Sequence, residues 1–406
     1  MTVHTDVLIV GASAAGLATA EAVRRSGFDD RITMIAAELQ APYDRPPLSK
    51  QVLSGAWDRH RTRLRPADFI VSLDLDLTLG ETALSLDVAS RTVQTDRRTI
   101  AADHVVIATG AYPRGLPYQP QLRGLHMFRS IDDAMALRAD LLEADRLVVV
   151  GDGVLGAEIA ATARGMGADV TVVGPQTGLM ESQLGSAVAA ILTELHAAQG
   201  VRTRLGAQVV GFTEADRRVT GVRLAAGDTL PADVVVVAIG AVPATDWLSG
   251  SGLHVDDGVV CDRWCRAADG IHAAGDVARI RDAPTGSTYR RENRTNATEQ
   301  GIAVAADILG VATPPTPIPY FWSDQFGTKI QVDGSIRRDA EMSVLDGDPA
   351  AGRFVASFQC DGVVTGILGW NMPKQSRRHR GRIGIAVSDV EEGVATGLGR
   401  RHHVRQ

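Results

Sequence analysis

Asp6-Val7-Leu8-Ile9-Val10-Gly11-Ala12-Ser13-Ala14-Ala15-Gly16 is a short apolar run that breaks at a glycine. The run reads as a buried strand, and Leu17, Ala20, Val23 and Arg24 beyond it follow a helical spacing. Gly11 permits the tight turn between the two, and Gly16 lets the helix pack close to the strand. Ser13 stands where a middle glycine is usual and is small enough for a pyrophosphate to approach the backbone. The free N–H groups and the positive end of the helix dipole suit that anion.

The pattern recurs 140 residues further on, where Leu147-Val148-Val149-Val150-Gly151-Asp152-Gly153-Val154-Leu155-Gly156 leads into Ala160-Ala161-Thr162-Ala163. Val170-Thr171-Val172-Val173 supplies the next strand. Two dinucleotide folds in one chain imply two dinucleotides held against each other, an arrangement that resembles the two-dinucleotide flavoprotein reductases. The expected fold class is α/β, with two Rossmann-like dinucleotide-binding domains of the glutathione-reductase-like kind and a C-terminal α+β domain.

Composition narrows the function classes. The chain has 406 residues, enough for two or three domains with their own cores. Hydrophobic content of 45% and charged content of 22% are those of a soluble globular protein. A net charge of −6 argues against general nucleic-acid binding. No apolar run reaches the ~18 residues that span a bilayer, so no membrane segment is expected. The first strand begins almost at residue 1, and a cytoplasmic protein is the expectation. Cys261, Cys265 and Cys360 contain no Cys-x-x-Cys pair and nothing like a redox disulfide. Cys261 and Cys265 lack further cysteine or histidine partners, so they read as structural and no metal site is expected.

Arg31-Ile32-Thr33-Met34-Ile35 reads as the second strand of the first fold. An acid at its end normally accepts hydrogen bonds from the adenosine ribose. Ala36 or Ala37 stands there instead, and the first carboxylate is Glu38. Three readings stay open: Glu38 holds the ribose one residue late, the backbone at Ala37 holds it alone, or Glu38 is a solvated loop residue. Pro42-Tyr43-Asp44-Arg45-Pro46-Pro47-Leu48-Ser49-Lys50 follows, a stiff loop leading into a helix at Ser49-Lys50. This string resembles that of FAD-dependent ferredoxin reductases serving cytochrome P450 and aromatic-ring dioxygenase systems. Related flavoproteins that reduce disulfides, peroxide or oxygen carry a reactive cysteine where this chain has Lys50.

The resemblance extends over nearly the whole chain, to about residue 382, and implies roles for particular residues. Ala15, Arg45 and the backbone at Ala83 would contact FAD. Val105-Val106-Ile107-Ala108-Thr109-Gly110 ends in the Ala-Thr-Gly turn of these flavoproteins. Arg129, in Phe128-Arg129-Ser130-Ile131-Asp132-Asp133-Ala134, would reach the FAD. In Gly270-Ile271-His272-Ala273-Ala274-Gly275-Asp276, a strand is expected to end at Gly275 and Asp276 to start a helix and bond the ribityl chain. Arg294 stands in the helix entry beside the flavin ring, where many relatives carry tryptophan or valine. Glu158 would pair with Lys50, and these two with Trp322, in Tyr320-Phe321-Trp322-Ser323-Asp324-Gln325, form the expected catalytic set.

In the second fold Gly151, Gly153 and Gly156 would cradle the nicotinamide nucleotide. Gly174-Pro175-Gln176 offers no acid for the ribose and no arginine for a 2′-phosphate, so NADH is favoured only weakly over NADPH. An acid introduced at Gly174 is expected to sharpen that preference. The domains are expected at 1–113 and 244–318 for FAD, 114–243 for NAD(P), and 319–406 for the C-terminal domain, with a proline linker at 314–319 and a basic tail at Arg400-Arg401-His402-His403. Residues 71–100 read as short strands, 342–369 as an antiparallel sheet, and 57–69 as a basic surface loop.

The implied activity passes electrons from NAD(P)H through FAD to an iron–sulfur ferredoxin, [2Fe–2S] or other, and so to a P450 or dioxygenase. Lys374, Arg377, Arg378 and Arg380 form the basic candidate for docking it. Two other readings stay open: an NAD(P)H oxidase or quinone-type diaphorase, and a non-enzymatic flavoprotein resembling apoptosis-inducing factor. Monomer and homodimer are both open.

Overall fold

The computed structural model describes residues 2–281, 287–311 and 318–386. The basic tail and most of the proline linker lie outside the described residues. The chain divides into two compact units, one of Met1–Arg114, Arg129–Ile131 and Ala241–Pro317, the other of Gly115–Phe128, Asp132–Gly240 and Ile318–Gln406.

The first unit is built on an eight-stranded sheet. Its parallel run is Ile271–Ala273, Thr99–Ile107, Thr2–Val10, Ile32–Ala36 and Leu75–Leu79. Val7 to Val10 are all buried, as expected of a central parallel strand covered on both faces. Val10 pairs with Ile35 on one side and Ile107 on the other. The helix Ala14–Arg25 follows directly and packs on the helix Arg294–Ile308. Their approach is close because Gly301 has no side chain; a Cβ there would lie 2.5 Å from the Ala15 carbonyl oxygen. Chain segments Ala111–Pro113 and Ala241–Pro243 pair antiparallel as a separate two-stranded sheet.

Two local readings differ in the structure, and the helix expected at Ser49-Lys50 is present in π form. Asp276 does not start a helix. Gly275, at φ +83°, turns the chain, and Ala278 enters the strand Ala278–Arg281 beside Val259–Cys261, which commits the backbone to sheet pairing. Lys50 sits in a single π-helical turn, Leu48–Val52. The basic stretch is not a bare loop: Asp58 caps a short 3₁₀ turn at Arg59–Thr62, and Arg65 bonds buried Glu21. Residues 71–100 do hold short strands, at Leu75–Leu79, Ala83–Asp87 and Thr92–Thr95.

The second unit holds a five-stranded all-parallel sheet in the order Arg202–Leu205, Asp169–Gly174, Arg146–Val150, Val234–Val237, Leu125–Met127. Successive strands step outward in opposite directions from Arg146–Val150, which makes its carboxyl end the crevice where such sheets bind ligands. A small antiparallel sheet, Val209–Ala215, Arg218–Leu224 and Thr229–Pro231, shares a core of Val148, Val150, Val219, Val222 and Val235 with it. The same unit contains the C-terminal antiparallel sheet, ordered Tyr320–Gln325, Thr328–Gly334, Val363–Trp370, Arg353–Cys360, Glu341–Asp348. The alternation read over 342–369 falls on its last three strands. The helix Pro373–His379 lies against it, and Gly369 leaves room for Ser376.

Candidate functional site

In the first unit the glycine turn is held by contacts that exclude any side chain. A Cβ at Gly11, which has φ +121°, would lie 2.1 Å from the Ala108 carbonyl oxygen, and one at Gly16 would lie 1.9 Å from that of Gly11. The helix beginning at Ala14 has Ser13 at its N-cap position but no side-chain capping bond, and no acid in its first turn. Its N-terminus therefore points free backbone dipole at whatever lies before it, which fits a diphosphate. By contrast, the Asn293 side chain caps the helix Arg294–Ile308 in the ordinary way.

Around that N-terminus the structure gathers residues far apart in the chain. A Cβ at Gly275 would come within 3.1 Å of the Ala15 methyl. Next to it, Asp276 Oδ2 accepts from an Arg129 amino group at 2.5 Å. The Arg129 carbonyl accepts from Arg45 at 2.9 Å, and Arg45 also donates to Glu38 at 2.5 Å and to the Tyr43 hydroxyl at 2.8 Å. Tyr43 donates to the other Glu38 oxygen at 2.5 Å and accepts from the Ile131 N–H. Burial pushes the Tyr43 phenol well above its usual range, so it stays a neutral donor. Both oxygens of Glu38 are thus tied, which sets aside its reading as a solvated loop residue. Thr109 donates to the Ala244 carbonyl at 2.9 Å, and Gly110, at φ +71°, accepts from the Ala244 N–H.

Other candidates of this unit have surroundings of their own. Ala37 is exposed at the end of its strand, and Ala83 begins a hairpin strand paired with Thr95. Half-buried Lys50 donates to the Pro46 carbonyl at 3.0 Å. Arg294 is bound to Asp44 at 2.8 Å, and its guanidinium also meets Thr298.

The second unit repeats the cradle. A Cβ at Gly151, at φ +128°, would lie 2.2 Å from the Ala238 carbonyl oxygen, and one at Gly156 would lie 2.0 Å from that of Gly151. Gly153 is the N-cap of the helix Val154–Gly165, again without a capping side chain or a first-turn acid. Glu158 is buried one turn into that helix, where it accepts from the Ser323 hydroxyl at 2.7 Å. Ser323 in turn accepts from Gln325 at 2.9 Å, and the Gln325 carbonyl oxygen pairs with His196 Nε2 at 2.7 Å. Alternation along Tyr320–Gln325 turns Ser323 and Gln325 inward, while Trp322 stacks on Tyr320 with ring centres 5.9 Å apart.

Reasoning from sequence missed Tyr43, Ser323, Gln325 and Asp152. Asp152 was legible as the one acid inside either glycine loop. Its carboxylate is buried and accepts from the Gln176 N–H and side-chain amide, both at 2.7 Å. It also fills the space beside Gly174: a Cβ there would lie 2.2 Å from Asp152 Oδ2. Gly174 therefore has no room for the acid proposed for it, and that expectation is withdrawn. As for the thiols, Cys261 and Cys265 are buried; burial pushes Cys261 up to about 12 and Cys265 well above its usual value. Neither is a thiolate at neutral pH.

Known proteins carry the same two-part organisation. Residues 5–301 match the family described as pyridine nucleotide-disulphide oxidoreductase, and residues 320–395 the one described as Reductase C-terminal. The chain is 36% identical to rhodocoxin reductase of Rhodococcus erythropolis, over 86% of this chain and 82% of that protein. It is 36% identical to the ferredoxin reductase component of chlorobenzene dioxygenase from Cupriavidus sp. (strain PS12), over 91% of this chain and 90% of that one. The crystal structure of the covalent putidaredoxin reductase–putidaredoxin complex contains a chain with a TM-score of 0.90 at 29% identity, covering 98% of this chain and 99% of that one. No helix among the described residues is long and apolar enough to cross a membrane. The chain belongs to the pyridine nucleotide-disulphide oxidoreductase family, among the members that carry the reductase C-terminal domain.

Proposed function

We propose that this protein is an FAD-dependent NAD(P)H:ferredoxin reductase that supplies electrons, through an iron–sulfur ferredoxin, to a cytochrome P450 or a ring-hydroxylating dioxygenase. The observation that carries the reading is the pair of tight glycine turns, each before an uncapped helix N-terminus, in a chain whose relatives are named as reductases of such systems. FAD, when bound, supplies two-electron uptake from a nicotinamide and one-electron release to an iron–sulfur centre. The chain's own residues do the holding and tuning.

Ser13, Ala15 and Gly16 would present backbone N–H groups to the FAD diphosphate, with Gly11, whose N–H is bonded to the Ile35 carbonyl, making the turn and Arg129 and Asp276 fixed beside them. Glu38, Tyr43 and Arg45, bonded to one another, brace the backbone at Arg129 and Ile131. Gly153 and Gly156 would do the same for the nicotinamide nucleotide, with Gly151, whose N–H is bonded to the Val173 carbonyl, making the turn. Lys50, whose ammonium is anchored to Pro46, would stabilise negative charge on the reduced ring, and Glu158, oriented by Ser323, would position the nicotinamide. Trp322 would stand at the electron exit. Segments 1–113 and 244–318 are read as the FAD domain, 114–243 as the NAD(P) domain and 319–406 as the C-terminal domain. A cytoplasmic setting suits three free cysteines.

The test is turnover of the FAD-loaded protein with NADH and a panel of [2Fe–2S] ferredoxins, against turnover with quinones. Ferredoxin reduction that outpaces quinone reduction is the expected result. Quinone turnover with none of the ferredoxins accepted would make the chain a diaphorase instead.

A further inference from the structure

Nucleotide folds of this type usually read the adenosine ribose with a carboxylate at the end of the second strand, about 20 residues after the glycine loop. In the second unit that position is Gly174, the last residue of the strand Asp169–Gly174. Asp152 occupies the space a side chain there would need. Its Oδ2, Cγ and Cβ lie 2.2, 2.3 and 2.8 Å from where a Cβ on Gly174 would be. The two positions share one site, and only one of them can carry an acid.

The carboxylate is fixed in that place. Gln176 donates to Oδ2 through its backbone N–H and to Oδ1 through its side chain, both at 2.7 Å. The Gln176 side-chain oxygen is itself held by the Ser182 N–H at 2.7 Å, which sets the amide with its NH₂ toward Asp152. Each carboxylate oxygen keeps acceptor capacity beyond these bonds. A buried acid has thus been placed at the carboxyl end of the sheet, beside the glycine loop, and locked there by a neighbour on the following turn.

We propose that Asp152 is the residue by which this chain reads the adenosine ribose of its nicotinamide nucleotide, from the glycine loop instead of from the strand end, and that it makes NADH the preferred donor. The inference rests on the reductase reading above. A ribose 2′-hydroxyl can donate to this carboxylate, whereas a 2′-phosphate brings a second negative charge against it. Arg204 lies exposed on the neighbouring strand, paired with Val173.

The experiment measures dissociation constants for NADH and NADPH by fluorescence titration of the FAD-loaded protein, with 2′,5′-ADP as competitor. Wild type is expected to bind NADH more tightly. The isosteric D152N should lower the NADPH-to-NADH ratio of constants by about five-fold or more and make 2′,5′-ADP a better competitor. G174E alone should weaken both nucleotides, because two carboxylates cannot share the site. D152G/G174E should recover NADH preference over D152G, with a melting temperature confirming that each variant is folded. A D152N protein with an unchanged ratio, or a wild type that prefers NADPH, overturns the inference and leaves the reductase reading standing. A wild type that binds neither nucleotide overturns both.

Discussion

Asp276 and Arg129 illustrate what a single residue does here. Their 2.5 Å pair joins segments 147 positions apart, and both side chains are largely shielded from water. Charge-assisted bonds of this kind are stronger than neutral ones, and removing one member leaves the other charged and partly desolvated. Asp276→Ala is therefore expected to cost FAD binding about 1–3 kcal/mol, roughly 5- to 150-fold in affinity. The measurement is titration of the FAD-free protein, with flavin content on purification as a second readout. Unchanged affinity would remove Asp276 from the site. Asp152 belongs to the same scale: its partner Gln176 lies 24 residues away, and no spacing rule announces that its side chain will replace one missing from Gly174.

At the scale of elements, the strand–turn–helix units were legible because all their requirements are local. A strand, a glycine that must turn and a glycine that must not carry a side chain fall within a dozen residues. Glu158 shows the limit. It could be singled out, but Ser323, which orients it, lies 165 residues downstream and is marked only by facing inward on a strand. The helix expected at Asp276 failed for a related reason, since pairing with Val259–Cys261 decides that segment and cannot be seen locally. The basic helix Pro373–His379 is a similar case. Arg380, just beyond it, lies 3.4 Å from buried Asp333, so it is a poor choice for testing docking. Lys374, Arg377 and Arg378 remain exposed. Neutralising these three should raise the KM for ferredoxin about 3- to 30-fold at low ionic strength, with the difference shrinking as salt rises. Steady-state assays across a salt series check this, and equal KM values at low salt would move docking to another surface.

For the whole molecule, three histidines link folding to pH. His104, His196 and His272 each have an Nδ1 without a hydrogen-bond partner among the described residues, and burial lowers the pKa of each. Asp103 and Asp307 partly oppose the shift at His104, Asp307 at His272, and the Gln325 bond at His196. With folded values below the unfolded one, the unfolded chain binds more protons below about pH 6.5. Stability from these groups is present above that pH and is lost as the pH falls toward their folded values. Each proton taken up contributes a slope of about 1.4 kcal/mol per pH unit. Urea midpoints between pH 8 and pH 5 should fall on acidification, and His196→Gln should flatten the fall. A flat wild-type profile would show that these imidazoles take up protons equally in the folded and unfolded chain, and would overturn the link.

The division of the chain into interleaved segments has a consequence for how it is made. Ile271–Ala273, which pairs with Thr99–Ile107 in the first unit's sheet, is synthesised only after the entire nucleotide fold of the second unit. At ribosomal rates the wait is on the order of ten seconds. Through that interval Thr92–Thr95 covers that side only along Thr99–Ala101, and Val105, Val106 and Ile107, which end up fully buried, have no partner there. The second unit then waits in turn for its own C-terminal sheet. Neither unit can be completed before the other has begun, so a nascent chain carries an incompletely paired apolar strand while residues 108–270 are made, an unpaired edge of the kind that exposes folding chains to aggregation.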